Sequence, residues 1–165
     1  MTRWRPPQPK SSPYITPEGE KALKDELKEL WQLRRRDVVP ALQAAAAEGD
    51  RSENAEYIYR KKQLGQIDRR IRYLSKRLDI VEVIDRKPPD RSKVHFGAVV
   101  TLETEQGDEV VYRIVGADEI DARKSCISVD SPVARALLGK SIDDSVQVER
   151  PDGRVQLLIL DVEYP

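Results

Sequence analysis

The sequence is short of the residues from which self-contained active sites are commonly built. It has one cysteine, Cys126, which excludes an intramolecular disulfide, and one histidine, His95, which leaves no His/Cys metal cluster to consider. Neither has a partner at ligand or nucleophile spacing, so both are read as ordinary packing residues. A glycine-rich phosphate loop, a G-x-S-x-G elbow and a metalloprotease helix are all missing, which removes the commoner enzymes that announce themselves by motif. There is no apolar run of membrane-spanning length. The start, Met1 to Lys10, is basic and broken by prolines, and reads as a loose tail rather than a signal peptide. A soluble, cytoplasmic protein is the expectation. Charge of one sign is not in excess either: 29 Lys plus Arg balance 29 Asp plus Glu, so net charge argues neither for nor against a nucleic-acid partner.

What the sequence has is charge in quantity. Charged residues make up 35% of the 165 and hydrophobic residues only 39%, a ratio that favours an elongated, well-solvated element over a single sphere. Thr16-Pro17-Glu18 is a helix start, with Thr16 as cap, Pro17 at the first helical position and Glu18 at the positive end of the dipole. Leu23, Leu27 and Leu30 then mark one buried face, which Val38, Ala41 and Ala45 resume after Arg34-Arg35-Arg36. Pro40 lies inside this stretch. A proline in a helix interior costs roughly 3 kcal/mol, so a kink or local break is expected there. The tract Ala44 to Ala47 favours helix, and Gly49 is a plausible left-handed terminator.

The second helix is expected from about Asn54 to about Ile84, with Leu64, Ile67, Ile71, Leu74, Leu78 and Val81 three and four apart, a coiled-coil pattern. Two helices of roughly thirty residues at about 1.5 Å each, joined by so short a connection, must lie antiparallel as a rod of roughly 45 Å. Residues 48–53 form its tip. Lys87-Pro88-Pro89-Asp90 breaks the helix and opens a unit of different periodicity. There Ala98 to Leu102 and Val110 to Val115 flank the turn at Gln106-Gly107-Asp108, while Ser145 to Val148 and Val155 to Ile159 flank Pro151-Asp152-Gly153. Two hairpins are expected, with a short helix, Val133 to Leu138, started by Ser131-Pro132 and stopped by Gly139. The fold class is α+β: a helical hairpin over 14–86, a linker at 87–91 and a small β-rich domain over 92–165, preceded by the tail 1–13.

Asp50 and Glu53 stand three apart at the tip, a spacing that places both on one side of a helix start. Two readings are open. In one they form a capping box, each carboxylate satisfying a backbone N–H, with no chemistry. In the other they ligate Mg²⁺, because exposed carboxylates are ionised at neutral pH and suit a hard cation. Two carboxylates are too few for an octahedral site, so a partner would have to supply the remaining ligands. Beyond the tip, Arg60, Lys61, Lys62, Arg69, Arg70, Arg72, Lys76 and Arg77 face only Asp68 among acids, a basic stripe. It is either a solvated face balanced by Glu18, Glu20, Asp25, Glu26 and Glu29 or a phosphate-binding surface. Tyr57 and Tyr59 either pack on the opposite helix or stack on a base.

Gly49-Asp50-Arg51-Ser52-Glu53-Asn54-Ala55-Glu56-Tyr57 resembles the tip signature of the bacterial Gre transcript-cleavage factors. Tyr14-Ile15-Thr16-Pro17-Glu18-Gly19 is similar to their first-helix start. Phe96-Gly97-Ala98, Arg113 to Gly116 and Ser131 to Gly139 are similar to their C-terminal domain. Arg51-Ser52, Ile67 to Leu74 and Val129 to Pro132 resemble the GreB branch. The resemblance implies a coiled coil that enters the secondary channel of RNA polymerase and an FKBP-like C-terminal domain that docks at its rim. It implies that Asp50 and Glu53 help hold a Mg²⁺ shared with the polymerase, stimulating that enzyme's cleavage of backtracked RNA without being an enzyme itself. It maps a basic patch loosely onto Arg60 to Arg77, with the RNA 3′ end as partner, and a docking edge onto Asp130, Ser131 and Pro132. A channel binder that does not stimulate cleavage and inhibits the polymerase is the competing reading. Prolyl isomerisation by the β-rich domain is a third, although likeness of fold is no evidence of activity. No membrane partner is expected. A monomer is, though an exposed coiled-coil face could pair with a second copy.

Overall fold

The computed structural model describes Trp4 and residues 6–165. It contains two units: Glu20–Val81, and the chain's two ends, up to Gly19 and from Glu82 to Pro165. The tail expected over 1–13 falls partly outside the described residues, and from Pro6 to Pro13 it has no regular secondary structure.

Helix α1, Pro17–Leu33, starts as its sequence dictates, with the Thr16 hydroxyl accepting the Gly19 N–H at 3.1 Å. The disturbance expected at Pro40 takes the form of a π-helical turn, Arg34–Val38, after which α2, Val39–Ala46, continues with no non-helical residue between. The Val39 N–H reaches back five residues to the Arg34 carbonyl. A proline ring collides with the carbonyl four residues before it, and a widened turn just ahead of Pro40 relieves that collision without breaking the helix. The extra residue also keeps Val38 and Ala45 on the buried face, at 0% and 3% exposure.

Helix α3, Ala55–Ile80, buries Ile67, Ile71 and Leu74 as the three-four pattern predicts. Val38, Ile67 and Ile71 form the packed centre of the hairpin, with Leu27, Leu30 and Leu64 around them. Each such side chain contributes about 1.5–3 kcal/mol by leaving water. Two cross-helix ion pairs fix the pairing: Arg34 Nε to Asp68 Oδ1 at 2.8 Å, and a two-pronged contact of Arg70 with Glu26 at 2.6 and 3.0 Å.

The helix ends short of the expected Ile84. Val81 is extended, and β2, Glu82–Val83, pairs in parallel with β1, Tyr14–Ile15. The Glu82 and Ile84 N–H groups donate to the Pro13 and Ile15 carbonyls at 2.8 and 2.9 Å, so a long-range ladder takes backbone groups that local periodicity would have given to the helix. Residues 14–19 and 82–86, expected with the hairpin, therefore belong to the β-rich unit.

That unit is a five-stranded sheet in the order β5-β4-β3-β7-β6: β3 Val99–Thr104, β4 Glu109–Val115, β5 Cys126–Ser128, β6 Ser145–Arg150 and β7 Gly153–Glu163. Both expected hairpins, β3/β4 and β6/β7, are present, and β3 joins them antiparallel to β7 with Leu102 opposite Ile159. Strand β5, parallel to β4, was not expected. Helix α4, Pro132–Leu137, is capped by the Ser131 hydroxyl, which accepts the Ala134 N–H at 3.2 Å, and Gly139 follows at φ +81°. Val100, Leu102, Ile114, Ala134, Leu137 and Ile159 are fully buried and form the core.

Beside the sheet, Glu119 is a clasp. Its carboxylate accepts the Gly116 N–H at 2.7 Å, the Thr16 N–H at 3.1 Å and the Thr16 hydroxyl.

Candidate functional site

The connection between α2 and α3 is built by three short polar side chains. Gly49 adopts φ +119°, a backbone conformation L side chains rarely adopt. Asp50 then folds the chain back: its Oδ1 accepts the Ser52 N–H at 2.9 Å and the Ser52 hydroxyl at 2.8 Å. Those two bonds, the backbone one first, hold the Asp50 carboxyl below the usual aspartate range. Asp50 and Glu53 are both exposed, and Glu53 makes no hydrogen bond or ion pair among the described residues.

Asp50 and Glu53 do not form the capping box that their spacing allows. Neither residue is in a helix or caps one. The cap of α3 is Asn54, whose Oδ1 accepts the Tyr57 N–H at 3.0 Å. Its Nδ2 also donates to the Ala45 carbonyl at 2.8 Å, so one amide joins the end of α2 to the start of α3. Asn54→Ala removes both bonds. It is expected to lower stability by about 1–2 kcal/mol, since a cap is lost but the Ala45 carbonyl keeps the Glu48 N–H, at 3.2 Å. Urea unfolding of the variant checks this, and Asn54→Asp should restore the cap but not the bond to Ala45.

The Asp50 shift carries its own expectation. A depressed pKa in the folded chain means that the turn's stabilisation is present above the unfolded aspartate pKa and is lost as pH falls through the lower folded value. Ser52→Ala keeps the backbone donor and removes the hydroxyl. Its Asp50 carboxyl should titrate closer to the ordinary aspartate range, as followed by ¹³C NMR of the side-chain carboxyl.

Next to this turn, residues of the expected basic stripe gather with others into an open groove of about 540 Å³, lined by Arg51, Ser52, Tyr57, Ile58, Lys61 and Lys62. The Tyr57 ring has the Arg51 guanidinium 5.6 Å and the Lys61 ammonium 5.9 Å from its centre. Arg60 bonds Glu56 at 2.8 Å and lies over the exposed ring of Tyr59. Farther along, Arg69, Arg72 and Lys76 are exposed, whereas Arg70 is engaged by Glu26 and Arg77 is only 6% exposed. Burial takes Arg77 out of the surface stripe. Arg51, Ser52 and Asn54 were not among the expected site residues. Asn54 had a sequence signal: asparagine is a preferred cap, and it stands directly before Ala-Glu-Tyr.

At the expected docking edge, the Asp130 carboxylate accepts the Ser12 N–H at 2.8 Å, Ser131 is the α4 cap and Pro132 is its first residue. Among the described residues no group of three or more His, Cys, Asp or Glu side chains is placed to hold a metal ion. No helix among them is long and apolar enough to cross a membrane. Cys126 lies on the edge strand β5, and the His95 N–H donates to the Tyr164 hydroxyl at 2.9 Å.

A helical hairpin with an acidic turn, carried on a chain with a small β-rich unit, defines a class, and comparison with known proteins shows which. Residues 13–83 match the model of the transcription elongation factor N-terminal domain and residues 88–164 that of the GreA/GreB C-terminal domain, so the chain belongs to the GreA/GreB family of transcription elongation factors. Transcription elongation factor GreB of Xanthomonas axonopodis pv. citri is 58% identical over 99% of this chain and 98% of its own length. GreB of Pseudomonas aeruginosa is 53% identical over 100% and 98%. These identities place the chain on the GreB branch. Among solved structures, the GreA factor homolog 1 protein of Thermus thermophilus aligns at 22% identity over 91% of this chain and 97% of that one, with a TM-score of 0.42.

Proposed function

We propose that this chain binds bacterial RNA polymerase, lowers the hairpin turn into its secondary channel and stimulates the polymerase's own hydrolysis of backtracked RNA. One observation carries the reading. Asp50 and Glu53 are exposed carboxylates at the turn of a helical hairpin; Asn54 caps α3 in their place, Glu53 has no bond of its own among the described residues, and Asp50 uses only Oδ1 to fold the turn.

The donor set fits part of a Mg²⁺ site. Both are hard oxygen donors, and only Oδ1 of Asp50 is occupied, by Ser52, leaving Oδ2 and the whole Glu53 carboxylate available. Two residues cannot complete the shell, so the rest would come from the polymerase active centre. A Mg²⁺ shared in this way would activate water and stabilise the leaving oxygen of the RNA. This chain's residues position and select. Ser52 fixes the Asp50 carboxylate, and Asn54 holds the turn to both helices. Arg51, Lys61 and Lys62 offer cations to the phosphates near the RNA 3′ end, with Tyr57 available to a base. Asp130, Ser131 and Pro132 are proposed as the edge that meets the polymerase, with the protein acting as a monomer.

The test is a polymerase complex stalled and backtracked on a defined template with end-labelled RNA. Release of short 3′ fragments followed by renewed extension on adding the protein supports the reading. Suppressed run-off synthesis with no fragments would instead identify a channel-blocking inhibitor.

A further inference from the structure

The acidic turn and the α3 stripe leave one built surface of the hairpin unused, on α1. Lys24, Lys28, Trp31 and Arg35 recur at spacings of four, three and four and so share one face. Trp31 is 45% exposed, unusual for the largest apolar side chain, and the Arg34 guanidinium covers part of it, 5.8 Å from the ring centre. Arg34 is itself held in place by Asp68 at 2.8 Å. The rest of the ring opens on a shallow hollow of about 470 Å³ lined by Lys28, Trp31, Gln32 and Arg35. Lys24 bonds Glu20 at 3.0 Å, but Lys28 and Arg35 have no carboxylate partner among the described residues. The π-helical turn, Arg34–Val38, takes in Arg35 itself, and such turns are frequent at functional sites.

We infer that this face is a binding site for single-stranded RNA, with Trp31 stacking on an unpaired base and Lys28 and Arg35 holding the flanking phosphates. The chemistry selects that partner. A flat ring open on one side and rimmed by unneutralised cations matches a base between two phosphates. Trp and Arg also anchor protein interfaces, but lysine is depleted at the core of such interfaces, whereas here Lys28 lines the hollow beside the ring. Gln32 adds a donor and an acceptor for a base edge. The site lies on the opposite helix from the stripe and roughly 22 Å of rod before the end of α2. The inference rests on the proposed function only for the source of the RNA, a strand extruded along the rod past the turn.

Trp31 can report on itself, because the chain has two tryptophans and the other, Trp4, is 81% exposed in the tail. In the Trp4→Phe protein, titration with a short unstructured oligoribonucleotide should quench the remaining fluorescence. The doubly substituted Lys28→Glu, Arg35→Glu protein should need at least tenfold more RNA. Inorganic polyphosphate, an anion without bases, should compete but not quench. In the otherwise wild-type chain, Trp31→Ala should weaken RNA binding roughly tenfold with an unchanged circular dichroism spectrum, since Trp31 is 45% exposed and is not one of the buried residues Val38, Ile67 and Ile71 that centre the hairpin. Three results would overturn the inference. They are no quenching by RNA or equal quenching by polyphosphate; unchanged RNA affinity of Trp31→Ala; and a Trp31→Ala defect confined to binding RNA-free polymerase, which makes the face a protein contact. None of the RNA titrations uses polymerase, so failure here is separable from failure of cleavage stimulation.

Discussion

The combined substitution Asp50→Asn, Glu53→Gln is expected to lower cleavage of backtracked RNA by roughly 100-fold or more while leaving affinity for polymerase within about twofold. Both changes are nearly isosteric. The asparagine introduced in place of Asp50 retains a side-chain oxygen that can accept the Ser52 N–H, so the turn keeps its shape, and Glu53 has no internal bond to lose. What disappears is two negative charges, which is what a hard cation requires of this surface. Because neither residue caps α3 and the introduced amide still accepts from Ser52, the melting temperature should fall only slightly, by the charge contribution of Asp50 to the turn, and a fall in cleavage cannot then be ascribed to an unfolded hairpin. Cleavage rates on a stalled complex, with polymerase affinity measured in parallel, give the answer. Full cleavage by the folded double variant would remove the acidic turn from the mechanism.

Gly116→Ala should produce the largest loss of stability of any single methyl added to a glycine of this chain. A Cβ at Gly116 would stand 2.3 Å from the Tyr14 carbonyl oxygen, 2.9 Å from Glu119 Oε2 and 3.3 Å from the Ile15 Cα. Two of those three neighbours are backbone atoms of β1, which is tied into the ladder with β2 and cannot turn aside as a side-chain end can. For Gly19, by comparison, the three nearest atoms all belong to the Glu119 side chain. The Gly116 substitution must therefore separate the β1 segment from the sheet or distort the Glu119 clasp. Overpacking of this kind costs typically 1–3 kcal/mol, here towards the upper end because three hydrogen bonds to Glu119 are disturbed with it. Thermal unfolding should show a drop of several degrees, with Gly19→Ala showing a smaller one.

The architecture was legible wherever pattern and burial agree. Leu64, Ile67, Ile71 and Leu74 lie on one face because a helix repeats every 3.6 residues, and the two β-hairpins follow from alternating runs on either side of Gly107 and Gly153. The parts that were missed depend on partners distant in sequence. Glu82–Val83 is a strand only because Tyr14–Ile15 lies beside it, and a two-residue strand has no periodicity to detect. Strand β5 is three residues long, too short for the same reason.

The turn itself was legible in position but not in wiring. Asp50, Ser52 and Asn54 are all good cap formers, and which of them caps α3 is decided by loop dihedrals and by the Ala45 carbonyl across the turn, neither of which is written locally. Charge spacing misled in a similar way. Arg77 belongs by spacing to the basic stripe, yet it is buried.

The π-helical turn at Arg34–Val38 has a last consequence, which concerns phase. Each residue of an α-helix advances the direction of its side chain by about 100°. One residue added within the turn therefore sets the azimuth of everything that follows along α2, including the direction in which Gly49 and Asp50 leave the helix. Pro40 makes that offset the comfortable state of the chain. A version of α1–α2 shortened by one residue there would still read as a good helix, but it would aim the carboxylates at a different wall of whatever surrounds them.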